Sequence, residues 1–167
     1  MPFSLIPCHM EQSIYTIDIQ ALAKQGVRVV FADLDNTLAR YSERTPSAQL
    51  LDWKNALEQN GIRLFVVSNS RKSTRADEFC KAAEIPYIKH AGKPKKKGFL
   101  RAMELNDVTP EQVVMVGDQI FTDILGGNRC GIDTILVRPV ANDTIFRVIR
   151  HGLEAPMRML CRDRRSW

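Results

Sequence analysis

The sequence predicts an α/β fold in which helices cover both faces of a parallel sheet. Two observations carry it: short apolar runs alternate with helical patterns along the chain, and the runs are apolar throughout, as strands buried on both sides must be. The length of 167 residues allows one domain with a well-buried core and leaves no room for a second of ordinary size. Residues 1–167 are therefore taken as a single domain. Hydrophobic residues at 44% and charged residues at 26% exclude a disordered, collagen-like or coiled-coil chain.

A helical stretch near Ile19–Lys24 precedes the first strand candidate, Val27–Ala32, which ends at Asp33. Residues 47–59 predict a helix that turns Leu50, Leu51, Trp53 and Leu57 inward and stops at Asn60-Gly61, and Arg63–Val67 predicts the second strand. A helix from about Lys72 to Ala83, with Ser70 able to cap it, leads to a short third strand at Pro86–Ile88. Pro94 is placed to open the next helix at its first position. Val113–Val116 predicts the fourth strand, Thr122–Asn128 a helix closed by Cys130-Gly131, and Thr134–Val137 the fifth strand.

The four cysteines, Cys8, Cys80, Cys130 and Cys161, form no C-x-x-C pair and have no histidine at zinc-site spacing. Free thiols and a reducing, cytoplasmic setting are expected. The first residues show no basic region followed by an apolar run long enough for a signal peptide or a membrane span. Net charge is +5, and residues 138–167 hold seven arginines against Asp143, Glu154 and Asp163, so most of the excess lies at the end of the chain. That basic tail points to an anionic partner, lipid headgroups ahead of nucleic acid, with a solvated tail as the plain alternative.

Ligands of open α/β sheets sit at the carboxyl ends of the strands. The notable polar residues all fall there: Asp33-Leu34-Asp35-Asn36-Thr37-Leu38 after the first strand, Ser68-Asn69-Ser70 after the second, Lys93-Pro94 beyond the third, and Gly117-Asp118-Gln119 after the fourth. Carboxylates gathered on one rim repel unless a hard cation sits among them, and oxygen donors of this kind suit Mg²⁺. A serine hydroxyl, backbone N–H groups at a helix start and a lysine are what a phosphate dianion needs opposite that metal. The expected ligand is a phosphate ester.

In order and spacing, Asp33-Leu34-Asp35-Asn36-Thr37, Ser68, Lys93-Pro94, and Gly117-Asp118 with Asp123 resemble the four motifs of the haloacid dehalogenase superfamily. Ser13-Ile14-Tyr15, Ile17-Asp18, AGKPKKKGF and GDQIFTDILGGNRCG further resemble the YqeG-like branch that contains the phosphatidylglycerophosphate phosphatases, across residues 10–150 or so. The resemblance implies a three-layer, Rossmann-like phosphatase. It makes Asp33 the nucleophile and Asp35 the acid and base. Mg²⁺ would be held by Asp33, the main-chain carbonyl of Asp35, and Asp118, with Asp123 and Thr37 behind them. Ser68, Asn69 and Lys93 would hold phosphoryl oxygens.

Superfamily caps are inserted between the first and second motifs or between the second and third. The 35 positions from Asp33 to Ser68 and the 25 from Ser68 to Lys93 are consumed by predicted elements, so a capless, open site is expected. An open site suits a bulky or interfacial phosphate, phosphatidylglycerophosphate at the inner face of a membrane in particular. A small-metabolite, nucleotide or sugar phosphatase and a non-catalytic phosphate-binding module are the alternatives. Lys95, Lys96 and Lys97 fall in a helical first turn, where the macrodipole disfavours cations, and compete with Lys93 for the phosphate role. His9, His90 and His151 have no ligand-like spacing. Gly126-Gly127 predicts close packing rather than ligand contact. In residues 142–167, Ile145, Val148, Ile149, Leu153, Met157 and Leu160 keep helical spacing among Arg147, Arg150, Arg158 and Arg162, although Gly152 and Pro156 interrupt it. A helix docked on the core and a basic amphipathic membrane-surface element are the two readings of that tail.

Overall fold

The computed structural model of the protein describes residues 4–70 and 74–141. The basic tail from residue 142 and the expected start of the helix at Lys72 lie outside the described residues.

Six strands form one all-parallel sheet: β1 (His9–Glu11), β2 (Val29–Ala32), β3 (Arg63–Val67), β4 (Tyr87–Ile88), β5 (Val113–Gly117) and β6 (Asp133–Val137). Their order is β1-β6-β5-β2-β3-β4. Five strands fall where the sequence places them. The sixth, β1, was not expected: its three residues, His-Met-Glu, carry no run or alternation, and it exists as an edge strand by pairing with β6.

Five helices connect them: α1 (Ile19–Lys24), α2 (Ala48–Gln59), α3 (Thr74–Ala82), α4 (Lys96–Asn106) and α5 (Leu125–Cys130). Side-chain oxygens start the first two, Asp18 accepting from the Ala21 N–H at 3.0 Å and Ser47 from the Leu50 N–H at 3.2 Å. Pro94 does not open α4 as expected. Gly92, at φ 68°, begins a turn that the Lys95 N–H closes onto the Gly92 carbonyl at 2.9 Å, and the helix starts only after it.

Alternate strand residues feed two cores. Val30, Ala32, Leu64, Val66, Val114 and Val116 pack against Leu22 of α1, Leu50, Trp53 and Leu57 of α2, and Phe79 of α3. Val29, Phe31, Phe65, Val67, Val113 and Met115 pack against Phe99, Ala102 and Met103 of α4. Helices thus cover both faces, and the central strands β2, β3 and β5 are buried along nearly their whole length. The expected packing role of the glycine pair holds. A Cβ at Gly126 would lie 2.4 Å from the Phe99 ring, and one at Gly127 would lie 2.6 Å from Thr134. Among the described residues the segment between Asp33 and Ser68 holds only a loop, α2 and β3, with no cap.

Candidate active site

The chain runs from β2 outward to β3 and β4, then returns to the other side of β2 for β5. Adjacent strands whose connections depart in opposite directions open a crevice at their carboxyl ends. Asp33 follows β2 and Asp118 follows β5, so the crevice receives one carboxylate from each wall. The Asp33 N–H donates to the Val116 carbonyl at 3.0 Å and fixes the two strand ends against each other. Beyond Asp33 the chain folds back, with Asn36 in the left-handed region (φ 65°) and its N–H donating to the Ala39 carbonyl at 2.8 Å. That turn brings Thr37 inward, and its hydroxyl donates to Asp118 Oδ1 at 3.2 Å.

Asp123 enters from a π-helical turn, Ile120–Ile124, the kind of irregularity that often re-aims a side chain at a functional site. Its carboxylate accepts from the Gln119 N–H at 3.2 Å. Only glycine at position 117 leaves room for it, because a Cβ there would lie 2.3 Å from Asp123 Oδ2.

Lys93 supplies the cation. Asn69 grips its main chain from both sides: the Lys93 N–H donates to Asn69 Oδ1 at 2.8 Å, and Asn69 Nδ2 donates to the Lys93 carbonyl at 2.9 Å. Lys93 Nζ then reaches Asp33 Oδ1 at 2.6 Å and Asp123 Oδ1 at 2.8 Å, with its side chain 1% exposed. Lys95, Lys96 and Lys97 are exposed. The sequence places Asn69 on phosphate; in the structure its amide faces the Lys93 backbone and acts on that lysine. Ser68 is buried, its Oγ accepting from the Ser70 N–H at 3.1 Å.

Electrostatics follow from this crowding. Burial pushes the Asp33 carboxyl up to about 8; Lys93 pulls against that, while Asp123, Asp118 and Asp35 add to it. Burial likewise raises Asp123. For Lys93, burial favours the neutral amine, but Asp123 and Asp33 outweigh it and hold the group above the usual lysine range.

One ligand oxygen from each of Asp33, Asp118 and Asp123 lies within 4.8 Å of the others, and all three residues are buried. Three carboxylates against one ammonium leave two negative charges, which a dication with hard oxygen preference would neutralise. The donor set therefore fits a divalent metal. The sequence sets Asp123 behind the metal ligands, yet its oxygen belongs to the same cluster as those of Asp33 and Asp118. The Asp35 side chain is not in the cluster and turns instead to Arg75.

Arg75 is the residue that sequence reading missed. It lies in α3, 5% exposed, with its guanidinium against Asp35 Oδ1 and donating to the carbonyls of Glu43 at 2.7 Å and Arg40 at 2.5 Å. An arginine in an amphipathic helix ordinarily reads as solvated. The available signal was its spacing of four from Phe79, which puts it on the buried face.

A parallel α/β sheet with an acidic D-x-D-N-T turn, a buried lysine and a G-D turn meeting at its switch point defines a hydrolase of the haloacid dehalogenase type. The haloacid dehalogenase-like hydrolase family model matches residues 7–131, and the chain belongs to that family. More narrowly it is a phosphatase: it is 35% identical over 155 residues to "Probable phosphatase YqeG" of Bacillus subtilis (strain 168), covering 93% of this chain and 89% of that one. Two further relatives are "Phosphatidylglycerophosphate phosphatase 1, chloroplastic" of Chlamydomonas reinhardtii, 34% identical, and "Phosphatidylglycerophosphate phosphatase 1, chloroplastic/mitochondrial" of Arabidopsis thaliana, 35% identical. The alignments take 74% and 75% of this chain but only 49% and 38% of those proteins. Among solved structures, the cobalt-bound deoxy-D-mannose-octulosonate 8-phosphate phosphatase of Haemophilus influenzae shares the fold, with a TM-score of 0.56, 16% identity, and coverage of 80% of this chain and 91% of that one.

Proposed function

We propose that the protein is a magnesium-dependent phosphomonoesterase that works through an aspartyl-phosphate on Asp33 and removes the terminal phosphate of phosphatidylglycerophosphate. The observation that carries the chemistry is the meeting of Asp33, Asp118 and Asp123 at the β2/β5 crevice, with Lys93 paired to Asp33 and Asp123 and with Asp35 two residues from the nucleophile.

In the first step an oxygen of Asp33 bonds to phosphorus and the ester P–O bond breaks. The leaving oxygen keeps the electron pair and takes a proton from Asp35. In the second, Asp35 takes a proton from water, whose oxygen attacks phosphorus; the Asp33–phosphorus bond breaks, freeing inorganic phosphate and the Asp33 carboxylate. Lys93 neutralises charge beside Asp33 in both steps, and Ser68 offers its hydroxyl and adjoining main chain to the phosphoryl oxygens. Magnesium held by Asp33, Asp118 and the Asp35 carbonyl, with Asp123 beside them, supplies polarisation of the phosphoryl group.

The lipid substrate is supported by the two relatives named for it, by the uncapped crevice and by the arginines after Asn142. Among the described residues, no helix is long and apolar enough to cross a membrane. Peripheral attachment at the cytoplasmic face fits this reading, since each basic residue near an anionic bilayer adds on the order of 1 kcal/mol. The test is magnesium-dependent phosphate release from phosphatidylglycerophosphate in mixed micelles beside soluble glycerol, sugar and nucleotide phosphates. The reading expects the lipid to lead in kcat/KM. A soluble ester preferred by more than about a hundredfold (~2.7 kcal/mol) replaces it with a small-metabolite phosphatase.

A further inference from the structure

We propose that Arg75 is the positioning residue for Asp35. On this account one buried guanidinium holds the Asp35 carboxylate and the loop after the first motif as a unit, so that leaving-group protonation depends on it. The inference rests on Asp35 being the acid.

The guanidinium makes three contacts, all to the one loop that follows β2 and lies 32 to 40 residues away in sequence. One N–H group meets Asp35 Oδ1, a second donates to Arg40 O and Nε donates to Glu43 O. It lies near two aromatic rings, 5.5 Å from the centroid of Tyr41 and 6.0 Å from that of Phe79. Residues 40–45 are otherwise exposed, so this group is what ties that loop to α3 from within. A second tie, Arg44 to Glu78 at 2.8 Å, lies on the surface with both side chains more than half exposed, where an ion pair contributes little. The Asp35 contact uses one carboxylate oxygen and leaves the side chain 18% exposed, so the carboxyl is not fully enclosed by the guanidinium. A planar, forked cation offers donors on three separate nitrogens, and each of the three acceptors here takes a different one; a compact ammonium holds all its donors on one atom and does not match that spread. Fixing the carboxyl in this way raises the fraction of encounters in which its proton lies near the departing oxygen.

The test compares kcat/KM for an alkyl phosphate, whose leaving oxygen needs a proton, with that for 4-nitrophenyl phosphate, whose leaving group departs without one. Because kcat/KM covers only the steps through departure of the leaving group, slow hydrolysis of the intermediate does not enter. The aryl-to-alkyl ratio is also independent of the folded fraction of a preparation. General acids contribute roughly 10²–10⁴-fold. Arg75→Gln is expected to raise the ratio at least about tenfold through loss on the alkyl ester, with the aryl ester within about threefold of wild type. Arg75→Lys, which keeps the charge, is expected to recover only part of that loss. Glu78→Gln, which releases the surface tie alone, should leave the ratio unchanged. Adding Arg75→Gln to Asp35→Asn should change the ratio no further. An unchanged ratio in Asp35→Asn removes the acid role from Asp35 itself. A raised ratio in Asp35→Asn with a wild-type ratio in both Arg75 variants overturns the Arg75 proposal alone, as does an equal loss on both esters.

Discussion

Gly117→Ala adds a single methyl group and tests how the site is assembled. The new Cβ would lie 2.3 Å from Asp123 Oδ2 and 2.4 Å from both Cβ and Cγ of that residue. Relief requires Asp123 to retreat by about an ångström, since ordinary carbon contacts begin near 3.5 Å. Because the clash includes Cβ, the π-helical turn must move with the carboxylate, and Lys93 then loses one of its two buried partners. Overpacking of this kind costs about 1–3 kcal/mol, and complete breakage of a buried ion pair about 3–5 kcal/mol. Partial displacement should therefore cost roughly 2–5 kcal/mol, a melting-temperature drop of about 5–15 °C for a chain of this size. The assay is thermal unfolding with and without Mg²⁺, together with the magnesium concentration needed for half-maximal activity, which should rise at least about tenfold. Gly61→Ala is the control: Gly61 has φ 74° and nothing within 4 Å of a Cβ, so it should lose about 1 kcal/mol with no change in magnesium requirement. A Gly117→Ala protein that melts within about 2 °C of wild type and keeps its magnesium requirement would mean that Asp123 is not held in place by the missing side chain at position 117.

Because burial holds the Asp33 carboxyl near 8, far above its unfolded value of 3.8, the metal-free protein retains a proton that its unfolded chain has lost. Its stability should fall as pH rises from about 4 to 8, and stabilisation by a fixed Mg²⁺ concentration should grow across the same window; equal magnesium shifts at pH 5.5 and 8.5 or so in melting experiments contradict this. Lys93→Met leaves Asp33 and Asp123 buried without their cation. It should lose at least about a hundredfold in kcat and gain more melting temperature from Mg²⁺ than wild type does, whereas wild-type turnover would transfer the cation's role to another lysine. Replacing Arg147, Arg150, Arg158 and Arg162 together with Gln should abolish sedimentation with anionic vesicles while sparing activity on a soluble aryl phosphate, and loss of neither removes the tail from the lipid account.

What the sequence disclosed and what it hid have physical reasons. Central strands such as Val29–Ala32 and Val113–Gly117 were legible because burial on both faces demands unbroken apolar runs. Asp33, Asp118 and Lys93 were legible because they terminate or follow such runs at one rim. The edge strand His9–Glu11 was not, since its three residues are held by main-chain pairing to β6 and not by side-chain pattern. Asn69 was placed in the crevice because it follows a strand, but only three dimensions show its amide spent on the Lys93 backbone. Arg75 was hidden for a related reason, because its partners Asp35, Arg40 and Glu43 lie in one loop more than thirty residues away and reach it only through the fold.

The proposed mechanism requires Asp33 to become covalently phosphorylated, and Asp35→Asn makes that event visible. With 4-nitrophenyl phosphate the leaving group needs no proton, so the variant should still form the intermediate, while lacking the base that activates water for its breakdown. Rapid acid quench, reduction with borohydride and peptide mass spectrometry should then find homoserine at position 33, following a burst of nitrophenolate close to one equivalent of enzyme. A burst with homoserine at another aspartate, or phosphate release that proceeds without any trappable acyl phosphate, would contradict the account.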